Sequence, residues 1–447
     1  MLHCERLVSI PEVSRPAFDT SADPTGGGAV QGTSIVAELV NVASAESPPP
    51  VAAWTLDPLE AAVVAAIRRE GPLSRTDLAE HLDYSRASVT AIVGRMAAAG
   101  ILTEAGEGKS AGGRRPWLLD INPDLGYVAG VDIGATSVDV ALADFRGGIL
   151  ARTGQPADVR ARPEAFLGRV AALLEELLAG RGAGPDQLLA VGIGVPGPVE
   201  FAPGVLIAPP LMPLWEGFPI KAFMRRRFPR AVVVVDNDVN IMAKGEQQAG
   251  AGRGLRDFLF IKIGTGIGCG IISHGEVYRG ADGCAGDVGH ICVDYNGPVC
   301  HCGNPGCLEI MAAGPAIATQ GQARAEAGES AFLAARLAER GTLTAVDVGD
   351  AAAAGDRAAN EIIRRSGQMI GGVLATLVNF YNPEAIFIGG GVSGIGHALL
   401  SSIRQATLRR ATALSTRHLR IEYSPLREDA GVIGGIWLGL ENVFAVK

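Results

Sequence analysis

The sequence predicts an α/β body preceded by a winged helix-turn-helix. Two patterns carry that expectation. From Gly126 onward, apolar strands that run into glycine or polar turns alternate with helical segments such as 164–180 and 358–378. Ahead of them, residues 57–100 hold three short stretches with apolar side chains at helical spacing, and residues 101–122 read as strand, Gly-rich turn, strand.

The small unit begins at "DPLEAAVVAAIRRE", where Asp57 is the N-cap and Pro58 takes the first helical position. Leu59, Val63 and Ile67 recur every four residues, and Gly71-Pro72 ends the helix. "SRTDLAEHL" is a second helix, capped by Ser74, with Leu78 and Leu82 on one face. "SRASVTAIVGRMAAAG" is the third, capped by Ser85, with Val89, Ile92, Val93 and Met96 turned inward. Its opposite face starts with Ser85, Arg86, Ser88 and Thr90, short hydrogen-bonding groups with one Arg, where a recognition helix meets base edges and phosphates. Arg75 at the start of the second helix and the wing-tip residues Lys109, Arg114 and Arg115 complete the expected DNA-binding set. The alternative is a small helical bundle used for dimerisation. Residues 51–121 carry 8 Lys/Arg against 9 Asp/Glu, but residues 84–118 carry 5 against 2, so only the reading half is basic. Phosphate attraction per protomer is then modest, and a dimer doubles it.

Bulk properties narrow the class. The 447 residues suffice for two or three domains, and an apolar content of 48% supports a sizeable core. A net charge of −8 argues against wholesale polyanion binding. Residues 1–50, rich in Pro and Gly without a sustained period, are expected to be a disordered tail. No stretch reaches the roughly 18 apolar residues of a membrane helix. With no secretory pattern at Met1 and an odd count of 7 Cys, the expectation is a soluble cytoplasmic protein with reduced thiols.

Chemistry concentrates in five places. "DIGATSVDVALAD" places Asp132, Gly134 and Thr136 in a strand–turn–strand, where backbone N–H groups can approach phosphate and an Asp can hold a magnesium water. "GTGIGCG" (264–270) and "IGGGVSG" (388–394) are two further Gly turns, and three such turns on one α/β chain suggest a two-lobed nucleotide clamp of the sugar kinase–Hsp70–actin type. "DNDVN" (236–240) follows four valines, so Asp238 is placed to accept a proton from a sugar hydroxyl and Asn237 to bond its neighbours; the plainer role is an Asx cap on the next helix. Finally, "CHCGNPGCLE" holds Cys300, Cys302 and Cys307, and His290 lies ten residues upstream. Together they form a Cys₃His set, the closed ligation a structural zinc prefers, with a metal-free loop as the alternative.

These blocks, with "GVPGPV" and "GDVGH", resemble in order the signature blocks of the ROK family (repressors, open reading frames, sugar kinases) over roughly residues 55–447. The winged helix and "GGRRP" ahead of them are similar to the regulator branch, which includes xylose repressors. The resemblance implies a ROK domain over 122–447 with lobes at 122–240 and 241–447, its C-terminal helix packing back on the first lobe, behind a DNA-binding domain at 51–121. It implies Asp238 as catalytic base; Asn237, Asp287, His290 and Glu309 as sugar contacts; Asp132, Gly134, Thr136, Gly264, Thr265 and Gly266 as phosphate and magnesium turns; and Gly390 and Gly391 as the adenosine turn. Three positions depart from the pattern. Ala135 replaces a glycine, Asp287 replaces a Glu, and Pro210 stands where a sugar-contacting Asn is usual. The implied protein is a DNA-binding regulator, a repressor of carbohydrate metabolism. Its partners are operator DNA and a sugar or sugar-phosphate effector, its state a homodimer or tetramer, and its cofactors zinc and, if catalysis survives, ATP with Mg²⁺. The alternatives are an ATP-dependent hexose kinase with an added DNA-binding domain, and a corepressor that uses neither sugar nor operator.

Overall fold

A computed structural model describes residues 54–108 and 115–446. Residues 1–53 and the wing-tip residues Lys109 and Arg114 lie outside the described residues.

After a short strand β1 (Trp54–Leu56) come α1 (Pro58–Glu70), β2 (Leu73–Ser74), α2 (Arg75–Leu82) and α3 (Arg86–Ala98). Asp57 and Glu60 close a reciprocal capping box on α1, Ser74 and Asp77 another on α2, and Ser85 accepts from the Ser88 N–H to cap α3. Each cap satisfies backbone donors that the first helical turn leaves free. Val63, Ile67, Leu78, Val89, Val93 and Met96 are all buried, so the helical periodicity marks the core face. The wing is β3 (Leu102–Glu107) and β4 (Trp117–Ile121), with β2 as a third strand on the far side of β4.

The first sheet holds β5 (Tyr127–Ile133), β6 (Ser137–Ala143), β7 (Ile149–Pro156), β8 (Leu188–Val195) and β11 (Val232–Asn237) in the order β11-β8-β5-β6-β7, with α4 (Pro163–Ala179) following β7. The small ribbon β9 (Val199–Glu200) and β10 (Val205–Leu206), then α5 (Ile220–Arg227), fill the connection from β8 to β11. Helix α6 (Asp238–Ala249) leaves β11 directly. The second sheet, β14-β13-β12-β15-β16, is built from β12 (Phe258–Ile263), β13 (Ile267–Ser273), β14 (Glu276–Val277), β15 (Ala385–Gly389) and β16 (Arg420–Tyr423). Between β14 and β15 run α7 (Leu308–Ala312), α8 (Gly314–Glu326), α9 (Ala331–Arg340), α10 (Ala345–Ala353) and the long α11 (Arg357–Tyr381). Helices α12 (His397–Arg410) and α13 (Ala413–Thr416) precede β16; α14 (Asp429–Asn442) and β17 (Phe444–Val446) close the chain. In each sheet, adjacent parallel strands end at one edge: Asp132 lies opposite Gly194 and Asn237 opposite Val195, while Lys262 lies opposite Gly389. Ligands of open α/β sheets bind at such carboxyl ends.

Helix α14 packs on β5 and β8 of the first sheet and against α6. The approach is backbone to backbone. A Cβ built on Gly434 would fall 1.6 Å from the Ile241 carbonyl oxygen, and one on Gly245 would fall 2.1 Å from that of Ala430. Beyond α14 the chain returns to the winged unit, where β17 pairs in parallel with β1, Phe444 opposite Trp54. Phe145 joins these two rings, with centroids 5.9 Å from Trp54 and 6.1 Å from Phe444. Arg68 of α1 donates from Nε to the Phe145 carbonyl (3.1 Å) and from Nη1 to the Leu440 carbonyl (3.0 Å). Burial pushes the Arg68 guanidinium down to about 10. Arg146 pairs with the buried Asp120 at the base of the wing. One continuous apolar core therefore runs from the helix-turn-helix into the back of the first sheet.

Candidate functional site

A cavity of about 310 Å³ lies at the strand ends of both sheets. Ala135, Gly197, Pro210, Asn237 and Asp238 line it from the first sheet's side, and Lys262, Thr265, Gly266, Asp287, His290 and Glu309 from the second's.

Asn237 caps α6. Its Oδ1 accepts from the N–H of Val239 (2.9 Å) and Asn240 (3.4 Å), and its Nδ2 donates to the Gly197 carbonyl (3.0 Å). The side chain thus fulfils the Asx-cap role, and one Nδ2 hydrogen is left for a ligand. Asp238 is buried and ion-paired through Oδ2 with Lys262. Burial opposes the Lys262 charge, but Asp238 and Asp132 outweigh it and raise the ammonium pKa. Glu309 accepts from the Ile267 N–H at 3.0 Å through Oε2. The exposed Asp287 lies 3.8 Å from His290 Nε2.

His290 turns its other nitrogen to the cysteine loop: Nδ1 stands 3.6 Å from Cys300 Sγ, and Cys302 Sγ stands 3.6 Å from Cys307 Sγ. The four donor atoms all lie within 4.8 Å of one another. A tetrahedral zinc with bonds of about 2.0–2.3 Å spans donor separations of this size, so these residues fit the ion. Burial pushes the Cys300 thiol up and the Cys307 thiol to about 12, whereas the Asn304 backbone N–H draws Cys302 down to about 7. A bound cation reverses the upward shifts, because only the thiolate ligates. The loop also forms one wall of the cavity through His301 and Cys302, so the candidate metal site and the cavity share a structural element.

The glycine turns are placed unevenly. Gly264–Gly266 follows β12, and Gly390–Gly391 follows the adjacent β15, so these two lie side by side. Across the cavity, Gly134 donates to the Ser137 carbonyl at 2.8 Å and closes the β5–β6 hairpin, with Thr136 exposed and Ala135 facing the cavity. Asp132 is not among the lining residues. Its Oδ1 is shut from solvent without a hydrogen-bond partner, and a Cβ on Gly431 would lie 1.8 Å from its Oδ2. Burial above all pushes its carboxyl up to about 7. Trp215 belongs to the first lobe's core, edge-on to Phe166 at 5.4 Å, with Nε1 donating to Ala161.

On the winged unit, Ser85, Arg86, Ser88 and Thr90 are exposed at the start of α3, while Arg75 is half-buried. Arg115 is exposed and only 3.7 Å from Glu107. Arg95, the other Arg of α3, is tied to Asp57 (2.8 Å) and Glu60 (2.9 Å) and fastens α3 to α1.

The sequence matches the ROK family over residues 128–442. The chain belongs to the ROK family. Residues 54–115 match the MarR family. Together they give a MarR-type winged helix ahead of an actin-like ROK domain. The chain is 34% identical over 380 residues to a putative xylose repressor of Caldicellulosiruptor, covering 83% of this chain and 93% of that protein. Among solved structures, a ROK family transcriptional regulator, a homolog of the Escherichia coli MLC protein, superposes with a TM-score of 0.73 at 27% identity, covering 86% of this chain and 95% of the other. A ROK family glucokinase from Streptomyces griseus, in complex with glucose and AMPPNP, superposes with a TM-score of 0.63 at 31% identity, covering 71% of this chain and all of that one (100%).

Two residues, Lys262 in the cleft and Arg279 outside its lining, carry no motif signal. Arg279, from the loop after β14, reaches the first sheet and donates to Asp236 Oδ2 from Nε (2.9 Å) and Nη2 (2.7 Å). Its guanidinium also lies 3.9 Å over the Phe201 ring. Asp236 holds Asn240 through its other oxygen (2.9 Å), so this ion pair ties the second lobe to the start of α6. Lys262 is hidden inside an apolar strand, where nothing but its own charge marks it.

Proposed function

We propose that the chain is a DNA-binding ROK regulator, a repressor of sugar metabolism, whose effector is a sugar held between the lobes. The observation that carries the reading is the single core joining an exposed recognition helix to a polar cleft. Asp238, Glu309, Asp287 and the free hydrogen of Asn237 supply the acceptors and donor a polyol needs, with His290 Nε2 beside Asp287. His290, Cys300, Cys302 and Cys307 would hold a structural zinc, which would fix that wall of the cleft. Because one chain offers one recognition helix, the working unit on a pseudo-symmetric operator is a homodimer or a pair of dimers. No helix among the described residues is long and apolar enough to cross a membrane; operator binding places the protein in the cytoplasm.

Asp238 favours a second reading, phosphoryl transfer to a sugar hydroxyl, since a buried carboxylate at a strand end can act as general base. Asp238→Asn separates the two. A pure sensor forms no ADP before or after the change, and its sugar-induced release from operator DNA falls only as far as the lost carboxylate contact weakens sugar binding. A kinase forms ADP with some sugar as wild type and loses it by several orders of magnitude in the variant. The assay is coupled ADP detection with a sugar panel, alongside fluorescence anisotropy of operator DNA.

For DNA, Arg86→Ala is expected to weaken operator binding by about 1–3 kcal/mol and relax sequence preference, as loss of a base contact does. Arg115→Ala is expected to weaken binding alike on all sequences and to reduce the salt slope by about 1. An Arg86→Ala chain that binds and discriminates like wild type would show that α3 does not read the operator.

A further inference from the structure

We infer that Lys262 supplies, from within the chain, the positive charge that a divalent cation would bring to Asp238, so that the cleft takes an uncharged sugar without divalent metal or nucleotide. This deepens the regulator reading and explains how a kinase-type cleft can serve as a sensor.

A divalent cation needs free carboxylate oxygens, and Asp132 and Asp238 do not offer them. Asp132 offers one oxygen shut from solvent and another packed on the Gly431 backbone. Asp238 has its Oδ2 taken by the Lys262 ammonium, and its Oδ1 accepts from the Val239 N–H at 2.9 Å. Lys262 stands opposite Gly389 in the β12–β15 ladder, so it projects from the strand whose end carries the Gly264–Gly266 turn. Its side chain is only 19% exposed and cannot swing out to solvent without leaving a buried carboxylate unpaired. A second cation at Asp238 would meet the ammonium at close range, where like charges repel strongly. Burial works against Lys262 keeping its proton, yet Asp238 and Asp132 hold it charged. The ligand class follows from the remaining charges. Asp238, Asp287 and Glu309 line the cavity, and Lys262 alone is a fixed cation among its lining residues, already spent on Asp238. A phosphate group would enter a net negative cleft, whereas a neutral polyol can use the carboxylate oxygens as acceptors.

The test is manganese titration by electron paramagnetic resonance on the zinc-loaded full-length chain. Wild type, Lys262→Arg and Asp238→Asn should show the same weak background binding. Lys262→Met, which keeps the length and removes the charge, should gain a manganese site tighter by roughly tenfold or more, and adding Asp238→Asn to it should abolish the gain. A folded Lys262→Met chain without the gain overturns the inference. So does a wild-type site that Asp238→Asn removes, an outcome readable even if Lys262→Met fails to fold. Operator binding, followed by anisotropy on the same samples, reports separately on the regulator reading: a wild-type chain that binds no operator DNA sinks that reading and leaves the manganese result intact.

Discussion

Replacing Cys302 and Cys307 together with serine is expected to strip the chain of zinc and of its sugar response. The cluster draws its donors from three short, irregular segments. His290 ends a one-turn 3₁₀ segment, the buried Cys300 and half-buried Cys302 sit on a loop, and Cys307 stands just before the five-residue α7. Val293 N–H to the Gly306 carbonyl (2.8 Å) and Leu308 N–H to the Ile291 carbonyl (2.9 Å) join the ends of the loop, but the thiol-bearing turn itself rests on local bonds such as Cys300 N–H to the Asn304 carbonyl (2.8 Å). Apparent binding free energies of structural zinc are about 10–16 kcal/mol near neutral pH, far more than such turns contribute. Without metal, His290 loses its Nδ1 anchor, and Glu309, two residues after Cys307, keeps only its bond from the Ile267 N–H. Metal analysis should fall from about one zinc per chain to background, since two serines cannot replace two thiolates. Sugar affinity should drop by two orders of magnitude or so, in line with removing a cluster that orients several contacts at once. A double variant that retains full zinc would refute the Cys₃His assignment.

How far the sequence could be read follows from where each signal lies. The winged unit was legible because its caps and apolar periods are local: Asp57, Ser74 and Ser85 all make the bonds their positions imply. The cysteine loop was legible for the same reason, since three donors fall within eight residues and the fourth is ten away. The carboxylates were legible as ends of apolar strands, but their states were not. That Asp238 is ion-paired with Lys262, 24 residues on, depends on which sheet edges meet across the cleft. Arg279 reaching back 43 residues to Asp236 has the same character. Trp54 pairing with Phe444 is a contact between the two ends of the described chain, which no local pattern can announce. The glycines of α14 gave a signal that composition alone could not resolve. "GVIGGIWLGLEN" reads as a weak helix, and only packing shows that the missing side chains are what lets α6 and the first sheet approach.

Gly434→Ala is therefore expected to be among the most damaging single changes, although alanine is the better helix former. On propensity, the substitution inside α14 should stabilise by up to about 1 kcal/mol. Packing decides the other way. The new methyl would lie 1.6 Å from the Ile241 carbonyl oxygen and 3.0 Å from the Gly245 nitrogen, both backbone atoms of α6 that no rotamer change can move aside. The helices must separate, and the overpacking cost, about 1–3 kcal/mol for an added methylene that forces side-chain and backbone shifts, should reach or exceed its upper end here. Gly168→Ala is the internal control, because a Cβ there, in the middle of α4, meets no atom within 4 Å. Urea unfolding should show Gly168→Ala at or above wild-type stability and Gly434→Ala lower by about 3 kcal/mol. The functional consequence is larger than the loss of stability. Helix α6 starts at Asp238 in the cleft, and α14 passes from Gly431 beside Asp132 to Leu440, whose carbonyl accepts from Arg68 of the DNA-binding unit at 3.0 Å. Lys244 of α6 and Glu441 of α14 are further joined at 2.6 Å. A sugar that shifts α6 can reach the winged helix through this pair of helices, but only while they move as one body. Pushing them apart should leave sugar binding measurable and operator binding measurable, yet cut the factor by which sugar changes operator affinity toward one, since coupling is the differential free energy between the two states. Operator titrations with and without sugar, performed on Gly434→Ala below its unfolding range, measure that factor directly. Coupling equal to wild type in a folded Gly434→Ala chain would mean that the message between cleft and DNA travels by another route.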